Sequence, residues 1–152
     1  MIHLIPVTKD NFFTALDMKI TEDQTKYLFP VERSLAECYV NENYHPYIIF
    51  NEEIPVGFVL LSWIKEKNYY KVIRFMIDKR YQRQGFGTAA MKAIIQFFKD
   101  LGAKKIVLSH EIENPYPARV YLSVGFKYTG EIVGIEKMME LDLWLSKDKY
   151  PI

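Results

Sequence analysis

The chain has 152 residues, of which 49% are hydrophobic and 26% are charged, and these proportions are typical of one globular domain. Twenty basic and nineteen acidic side chains leave a formal net charge of +1, which provides no general attraction for a nucleic acid. No apolar run approaches the roughly 20 residues that cross a bilayer. We therefore expect a single domain over 1–152 that binds neither nucleic acid nor membrane.

The chain contains one cysteine, Cys38, so no internal disulfide can form, and this usage is typical of a reducing compartment. The first residues lack the basic start and the long apolar region of a secretory signal peptide. We expect a cytoplasmic protein in which Cys38 is a small buried residue.

The first half of the chain predicts two helices and an antiparallel sheet. Hydrophobic periodicity and turn residues predict, in chain order, a strand over Ile2–Val7, helices over Asp10–Ile20 and Ser34–Asn43, and strands over Tyr47–Phe50, Val56–Leu61 and Lys71–Ile77. Short polar turns separate the last three strands. Three neighbouring antiparallel strands are therefore the simplest arrangement.

The second half begins with the clearest helical pattern of the sequence. From Gly87, apolar residues recur at helical spacing as far as Phe98, and Gly102 is a plausible stop. The pattern then predicts a strand over Lys105–Ser109, a helix that starts at Asn114-Pro115 and ends at Gly125, and a hairpin of strands over Phe126–Ile132 and Glu136–Leu143 with Gly134 in its turn. A strand, a helix and a strand in succession indicate one parallel pairing.

The segment between the strand ending at Ile77 and the long helix is the strongest candidate for a binding site. Its residues are Gln82, Arg83, Gln84, Gly85, Phe86, Gly87 and Thr88. A loop that enters a helix exposes unpaired main-chain N–H groups at the positive end of the helix dipole, where anions bind. A purely structural turn explains a G-x-G sequence almost as well, so this motif alone does not decide the function.

A second motif follows on the predicted short helix. Asn114 and Tyr121 are seven residues apart, about two helical turns, so they project from similar sides, and Gly125-Phe126 closes the segment. Together the two motifs resemble the GNAT superfamily of N-acetyltransferases. The family's first motif, Q/R-x-x-G-x-G/A, is matched by Gln82, Gly85 and Gly87. Its second motif, N-x-x-A with a later tyrosine and Gly-Phe, is matched except that Pro117 replaces the alanine, with Ala118 one place later.

The resemblance implies an α/β (α+β) fold with a mixed, mostly antiparallel sheet of about six to seven strands flanked by about four helices. It also implies that acetyl-CoA is the cosubstrate and that no metal takes part. In this interpretation the loop Gln82–Thr88 holds the diphosphate, Asn114 contributes to the same cofactor site, and Phe75, Met76 and Ile77 line the pantetheine arm. Tyr121 is the expected general acid for the departing thiolate.

The base and the acceptor amine are less determined. His110, Glu111 and Glu113 are candidates for taking the proton of the ammonium, and each is also explained as an ordinary loop residue. The stretch Arg74–Gly87 resembles bacterial spermine/spermidine acetyltransferases, and acidic residues that suit a polyamine are Glu32, Glu37, Glu42, Glu52 and Glu53. Acetylation of a protein N-terminus or lysine, and a regulator that binds acyl-CoA without turnover, remain alternatives. The sequence leaves open whether the protein forms a homodimer.

Overall fold

The computed structural model describes residues 1–26 and 28–143. Its centre is a seven-stranded sheet with the order β1-β2-β3-β4-β5-β7-β6. The strands are β1 (Ile2–Pro6), β2 (Tyr44–Asn51), β3 (Ile54–Ile64), β4 (Tyr69–Ile77), β5 (Lys105–Glu111), β6 (Lys127–Val133) and β7 (Glu136–Asp142). Every neighbouring pair is antiparallel except β4 and β5, which are parallel. The predicted antiparallel trio, the parallel pairing and the final hairpin are confirmed.

Helices cover both faces of the sheet, and each face has its own hydrophobic core. The α-helices are α1 (Phe12–Leu16), α2 (Val31–Val40), α3 (Phe86–Asp100) and α4 (Ala118–Ser123), with a short 3-10 helix at Glu22–Lys26. The apolar face of α3, including Met91, Ile94 and Phe98, is buried in the larger core. The smaller core lies on the opposite face and includes α1 and α2 residues such as Ala15 and Val31. The mostly antiparallel sheet with four helices confirms the expected fold class.

The first predicted helix, Asp10–Ile20, is wrong in length. Helix α1 ends at Leu16, and the main chain at Lys19 turns towards the end of β4. The Lys19 N–H donates to Asp78 Oδ2 at 3.3 Å, and the Lys19 carbonyl accepts from the Lys79 N–H at 2.8 Å. These bonds occupy main-chain groups that a longer helix would need for itself.

The boundaries of the next helix are also shifted. Helix α2 begins three residues before the predicted start, with Pro30 as its N-cap and the Arg33 and Ser34 N–H groups donating to the Pro30 carbonyl. Ser34 is buried in this helix and accepts a hydrogen bond from Arg74 Nη1 at 3.2 Å. The helix ends at Val40, where Asn41 becomes extended and its side-chain amide donates to the Glu37 carbonyl. Pro30 and Asn41 thus mark the two ends of α2.

Helix α4 starts at Ala118 rather than at Asn114-Pro115, so that prediction is wrong. Residues 114–117 form a turn in which the Ala118 N–H donates to the Pro115 carbonyl at 3.1 Å. Pro117 is the N-cap, and Asn114 makes no capping bond with its side chain. The proline at the family's alanine position therefore coincides with a later first turn, since proline is accommodated at a helix start.

Candidate active site

The turn from β4 into α3 presents main-chain N–H groups in one direction. Gly85 has a φ of +83° and is the N-cap of α3, and Arg83 has a φ of +63°. A Cβ at Gly85 would meet no atom within 4 Å, so the positive φ, not crowding, accounts for the glycine. Among the described residues, the main-chain N–H groups of 83–88 have no hydrogen-bond acceptor. The turn thus has the features of an anion-binding helix start.

The Gln82 side chain does not point to this group of amides. Its Nε2 donates to the Ile77 carbonyl and to Gln24 Oε1, both at 2.9 Å. The side chain therefore ties the beginning of the turn to the end of β4 and to the 3-10 helix before α2. The neighbouring Gln84 side chain is exposed and reaches the Arg80 carbonyl at 3.4 Å.

Strands β4 and β5 part beside the turn. Their register contains the single pair Lys71–Val107 within the described residues, although each strand continues beyond it. The Asp78 N–H donates to the Val56 carbonyl of β3. Along a strand, the main-chain N–H and C=O groups of successive residues point to opposite sides. The N–H and C=O of Phe75 and Ile77 therefore point away from β3. They face the gap, which we call the β4–β5 opening and define by residues 74–77 and 109–111.

The side chains of β4 divide between the two faces of the sheet. Phe75 and Ile77 pack against the larger core, together with Phe86 of α3, whereas Met76 is buried in the smaller core. Gly57 of β3 allows the close approach of these strands, because a Cβ there would lie 2.4 Å from the Met76 main-chain oxygen. Of the three β4 residues predicted from the sequence, Met76 alone directs its main chain towards β3.

Tyr121 belongs to the same core as Phe75 and Ile77. Its ring is 7% exposed and lies 6.1 Å from the Phe126 ring. Its hydroxyl has no hydrogen-bond partner in the described part of the chain. In that part, every side-chain nitrogen or oxygen that solvent cannot reach has a hydrogen-bond partner. The oxygen therefore reaches the protein surface. Burial raises the pKa of the Tyr121 phenol, so the group stays protonated throughout the neutral range.

The remaining predicted cofactor residues are Gly87 and Thr88 in the first turn of α3 and Asn114 after β5. Gly87 faces α4, where a Cβ would be 3.6 Å from Val120 Cγ2, an ordinary contact. Thr88 is half-buried in the first turn of α3. Asn114 is half-buried in the turn after β5, and its N–H donates to the Glu111 carbonyl at 2.9 Å.

The three candidate bases differ in their surroundings. His110 is 5% exposed, with Nδ1 2.8 Å from the Glu111 carbonyl and Nε2 2.8 Å from the Tyr128 hydroxyl. Because a carbonyl only accepts, Nδ1 donates to the Glu111 carbonyl, and Nε2 pairs with the Tyr128 hydroxyl. Both nitrogens are thus occupied. Glu111 is half-buried at the end of β5, beside the opening, and Glu113 is exposed.

Two of the acidic residues predicted for a polyamine are already paired. Arg74 makes two hydrogen bonds to Glu37, at 2.7 and 3.0 Å, and Arg33 adds a third at 3.2 Å. The hydrogen bond from Arg74 is the main cause that lowers the pKa of Glu37. Glu52 pairs with the N-terminal ammonium.

Asp78 is a structural residue of the site that sequence reasoning missed. It is 1% exposed and accepts hydrogen bonds from the Lys19 N–H and from the Arg80 N–H and guanidinium. Burial by itself raises the pKa of this carboxyl, but the bonds from Arg80 and Lys19 outweigh it and hold the pKa below the usual value. An aspartate directly after a strand and two residues before an arginine was the available signal, because such a side chain bonds the N–H two residues on.

Two classes of feature are absent from residues 1–26 and 28–143. No helix there combines the length and apolar character needed to cross a membrane. No three His, Cys, Asp or Glu side chains are grouped there as metal ligands.

The sequence matches the model of the acetyltransferase (GNAT) family over residues 12–126. The chain belongs to this family. It is 32% identical over 150 residues to the spermine/spermidine N(1)-acetyltransferase of Bacillus subtilis (strain 168), an alignment that covers 93% of this chain and 99% of the relative. The family resemblance drawn from the two motifs is confirmed.

Solved structures agree in fold with this GNAT protein. An aminoglycoside acetyltransferase in complex with coenzyme A has a TM-score of 0.79 at 16% identity, covering 99% of this chain and 100% of that one. A spermidine N-acetyltransferase chimera from Vibrio cholerae has a TM-score of 0.73 at 17% identity, covering 96% and 99%. As a GNAT member, the protein is an acetyltransferase that uses acetyl-CoA.

Proposed function

We propose that this acetyltransferase modifies a primary amine of a polyamine such as spermidine or spermine. The observation that carries the proposal is the 32% identity to a spermine/spermidine N(1)-acetyltransferase along nearly the whole length of both chains. The single free cysteine, Cys38, supports a cytoplasmic location, where disulfides are rare.

The residues around the β4–β5 opening fit acetyl-CoA, which supplies an acetyl group activated as a thioester. The main-chain N–H groups of 83–88 are available for a diphosphate at the positive end of α3. The outward N–H and C=O groups of Phe75 and Ile77 suit the amide groups of an extended arm, as an added strand would. One such N–H is also a suitable donor to the thioester oxygen as it gains negative charge.

Tyr121 is the proposed proton donor to the sulfur that leaves. Its hydroxyl has no competing partner in the described chain, and its raised pKa keeps the proton on Oη at neutral pH, where it is available to the departing sulfur. The buried ring restricts the direction of the hydroxyl, because Phe126 and the larger core surround it. This arrangement is suited to positioning a single proton.

The acceptor must lose a proton before it attacks, because an alkyl ammonium has a pKa of about 10.4. Of the three candidates, we favour Glu111 as the residue that receives this proton, directly or through water. It is half-buried at the edge of the opening, whereas both nitrogens of His110 are hydrogen-bonded and Glu113 is exposed.

The test is release of free thiol from acetyl-CoA with and without spermidine or spermine, combined with mass detection of the acetylated product. We expect release that requires the polyamine and a product heavier by one acetyl group. Absence of transfer to every small amine, with acetyl-CoA still bound, would instead support the regulator that lacks turnover.

A protein acceptor is the second candidate. The chain is 27% identical over 85 residues to the ribosomal-protein-serine acetyltransferase of Escherichia coli (strain K12), covering 55% of this chain and 48% of that relative. Peptides with a free N-terminus or a lysine belong in the same assay. A kcat/KM for such peptides above that for polyamines would favour this alternative.

A further inference from the structure

A cavity of about 390 Å³ lies between the end of α2 and the sheet, on the face opposite α3. Its floor contains Tyr44, Ser62 and Lys71, which are register partners on β2, β3 and β4 and therefore stand side by side. Its wall includes the segment 40–43 that follows α2. The volume lies within the usual range for small-molecule sites.

Ser62 shows that the cavity is polar at its base. The residue is 3% exposed, yet its hydroxyl has no hydrogen-bond partner among residues 1–26 and 28–143. Since no fully enclosed side-chain nitrogen or oxygen there lacks a partner, the Ser62 oxygen must open onto the cavity. The hydroxyl is therefore available to accept a hydrogen bond from a ligand N–H group.

The other groups of the lining include several oxygen acceptors. Glu42 is an exposed residue of the lining and has no cation within ion-pair distance in the described chain, unlike Glu37 on the same side of the sheet. The Asn41 amide nitrogen donates to the Glu37 carbonyl, which leaves Oδ1 as its free acceptor. Tyr44 and Tyr69 add phenol oxygens and ring faces, which attract cations.

The cavity reaches the point at which β4 and β5 separate. Lys71 lines the cavity and is also the β4 residue paired with Val107, after which the strands part. Ile73, the extra residue of a β-bulge in β4, lines it as well. Two residues further along β4 is Phe75, about 6.6 Å away in an extended strand. Arg74 stands between them, with its guanidinium bonded to Ser34 and Glu37 of α2. The distance along β4 is one that a chain several carbons long can cover.

From these observations we propose that the cavity binds the part of a polyamine beyond the acetylated nitrogen, with Glu42 as the counter-ion of its distal ammonium. The inference rests on the proposed polyamine acetylation and assigns a specificity site to it. Lys71 carries the opposing charge in the same lining and weakens the binding of a cation. The two residues therefore have effects of opposite sign.

The experiment compares spermidine with n-butylamine, which has no distal ammonium. In Glu42→Gln we expect the KM for spermidine to rise about two- to fivefold, the loss typical of one solvent-exposed ion pair, with kcat and the KM for acetyl-CoA unchanged. In Lys71→Met we expect the KM for spermidine to fall. Neither change should alter the KM for n-butylamine, and Glu131→Gln, at an exposed position of β6, is the matched control.

Ser62→Ala removes the unpaired hydroxyl and should raise the KM for spermidine without lowering the melting temperature. The inference is overturned if Glu42→Gln and Lys71→Met shift the KM for spermidine in the same direction, or if neither variant changes it. A rise of the KM for spermidine in Lys71→Met would also overturn it, because removing a like charge should strengthen the binding of a cation, and equal losses with both amines would indicate a general effect on the fold. If the unmodified protein acetylates neither amine, the proposed function itself fails.

Discussion

Replacing Tyr121 by phenylalanine tests the proposed proton donor with the least structural change. The ring and its contact with Phe126 are retained, and the hydroxyl has no partner in the described chain that would be left unpaired. The free energy of unfolding should therefore change by less than about 1 kcal/mol. The affinity for acetyl-CoA should be unchanged, because the main-chain N–H groups of 83–88 are untouched.

The expected loss is confined to turnover. General acid catalysis contributes about 10²–10⁴-fold, so the barrier of Tyr121→Phe should rise by about 2.7–5.4 kcal/mol. The assay is the initial rate of thiol release at saturating spermidine and acetyl-CoA, together with thermal denaturation and acetyl-CoA binding. Because the pKa of Tyr121 is raised, the unmodified protein should also keep its kcat as the pH increases from 7 to 9.

Tyr128→Phe is the matched control. It removes the hydroxyl that pairs with buried His110 Nε2, so it should lower stability by about 1–3 kcal/mol while leaving kcat within twofold. The reasoning would be refuted if Tyr121→Phe kept its turnover, or if its lost activity were matched by lost acetyl-CoA binding. A loss of kcat in Tyr128→Phe equal to that in Tyr121→Phe would also contradict the assignment.

Three further substitutions test the turn, the sheet and the loop after β4. Gly85→Ala and Gly130→Ala place alanine at φ values of +83° and +87°, with open space around the Cβ, so each should lower the free energy of unfolding by about 1–2 kcal/mol. Only Gly85→Ala should also weaken the binding of acetyl-CoA, as measured in a binding titration. Gly57→Ala forces a Cβ against the Met76 carbonyl and should destabilise by about 1–3 kcal/mol, and an unchanged melting temperature would contradict the predicted clash. Because the pKa of Asp78 is lower in the folded than in the unfolded chain, the ionised carboxylate stabilises the fold above about pH 4, and this stabilisation is lost as the pH falls further. The melting temperature of Asp78→Asn should therefore depend less on pH in this acidic range.

The sequence predicted those parts of the fold that local pattern determines. The period of apolar residues from Gly87 to Phe98 located α3 to within one residue of its start. The turn chemistry of the two hairpins located the strands that flank them. The pairing of β4 with β5 followed from the connection through a helix, because a parallel neighbour requires such a crossover.

The errors lie where distant residues compete for the same main-chain groups. Helix α1 is short because Lys19 bonds to Asp78 and Lys79, which are about sixty positions away in the chain. Helix α2 extends past the predicted start to Val31, and the Ser34 side chain within it is buried against Arg74 of β4. No periodicity within a window of a dozen residues contains these partners, so propensity was overridden by tertiary contacts.

The candidate site shows the same division between local and distant causes. The unpaired amides before α3 follow from Gly85 and the start of a helix, and the sequence predicts them. The β4–β5 opening depends on where two strands stop pairing, and the cavity beside it depends on residues that meet only because β2, β3 and β4 are in register at Ser62. A sequence therefore indicates a cofactor loop more readily than an acceptor pocket, since the loop is contiguous and the pocket is assembled from separate elements. Substrate specificity within one fold can therefore change through the acceptor pocket while the cofactor loop stays constant.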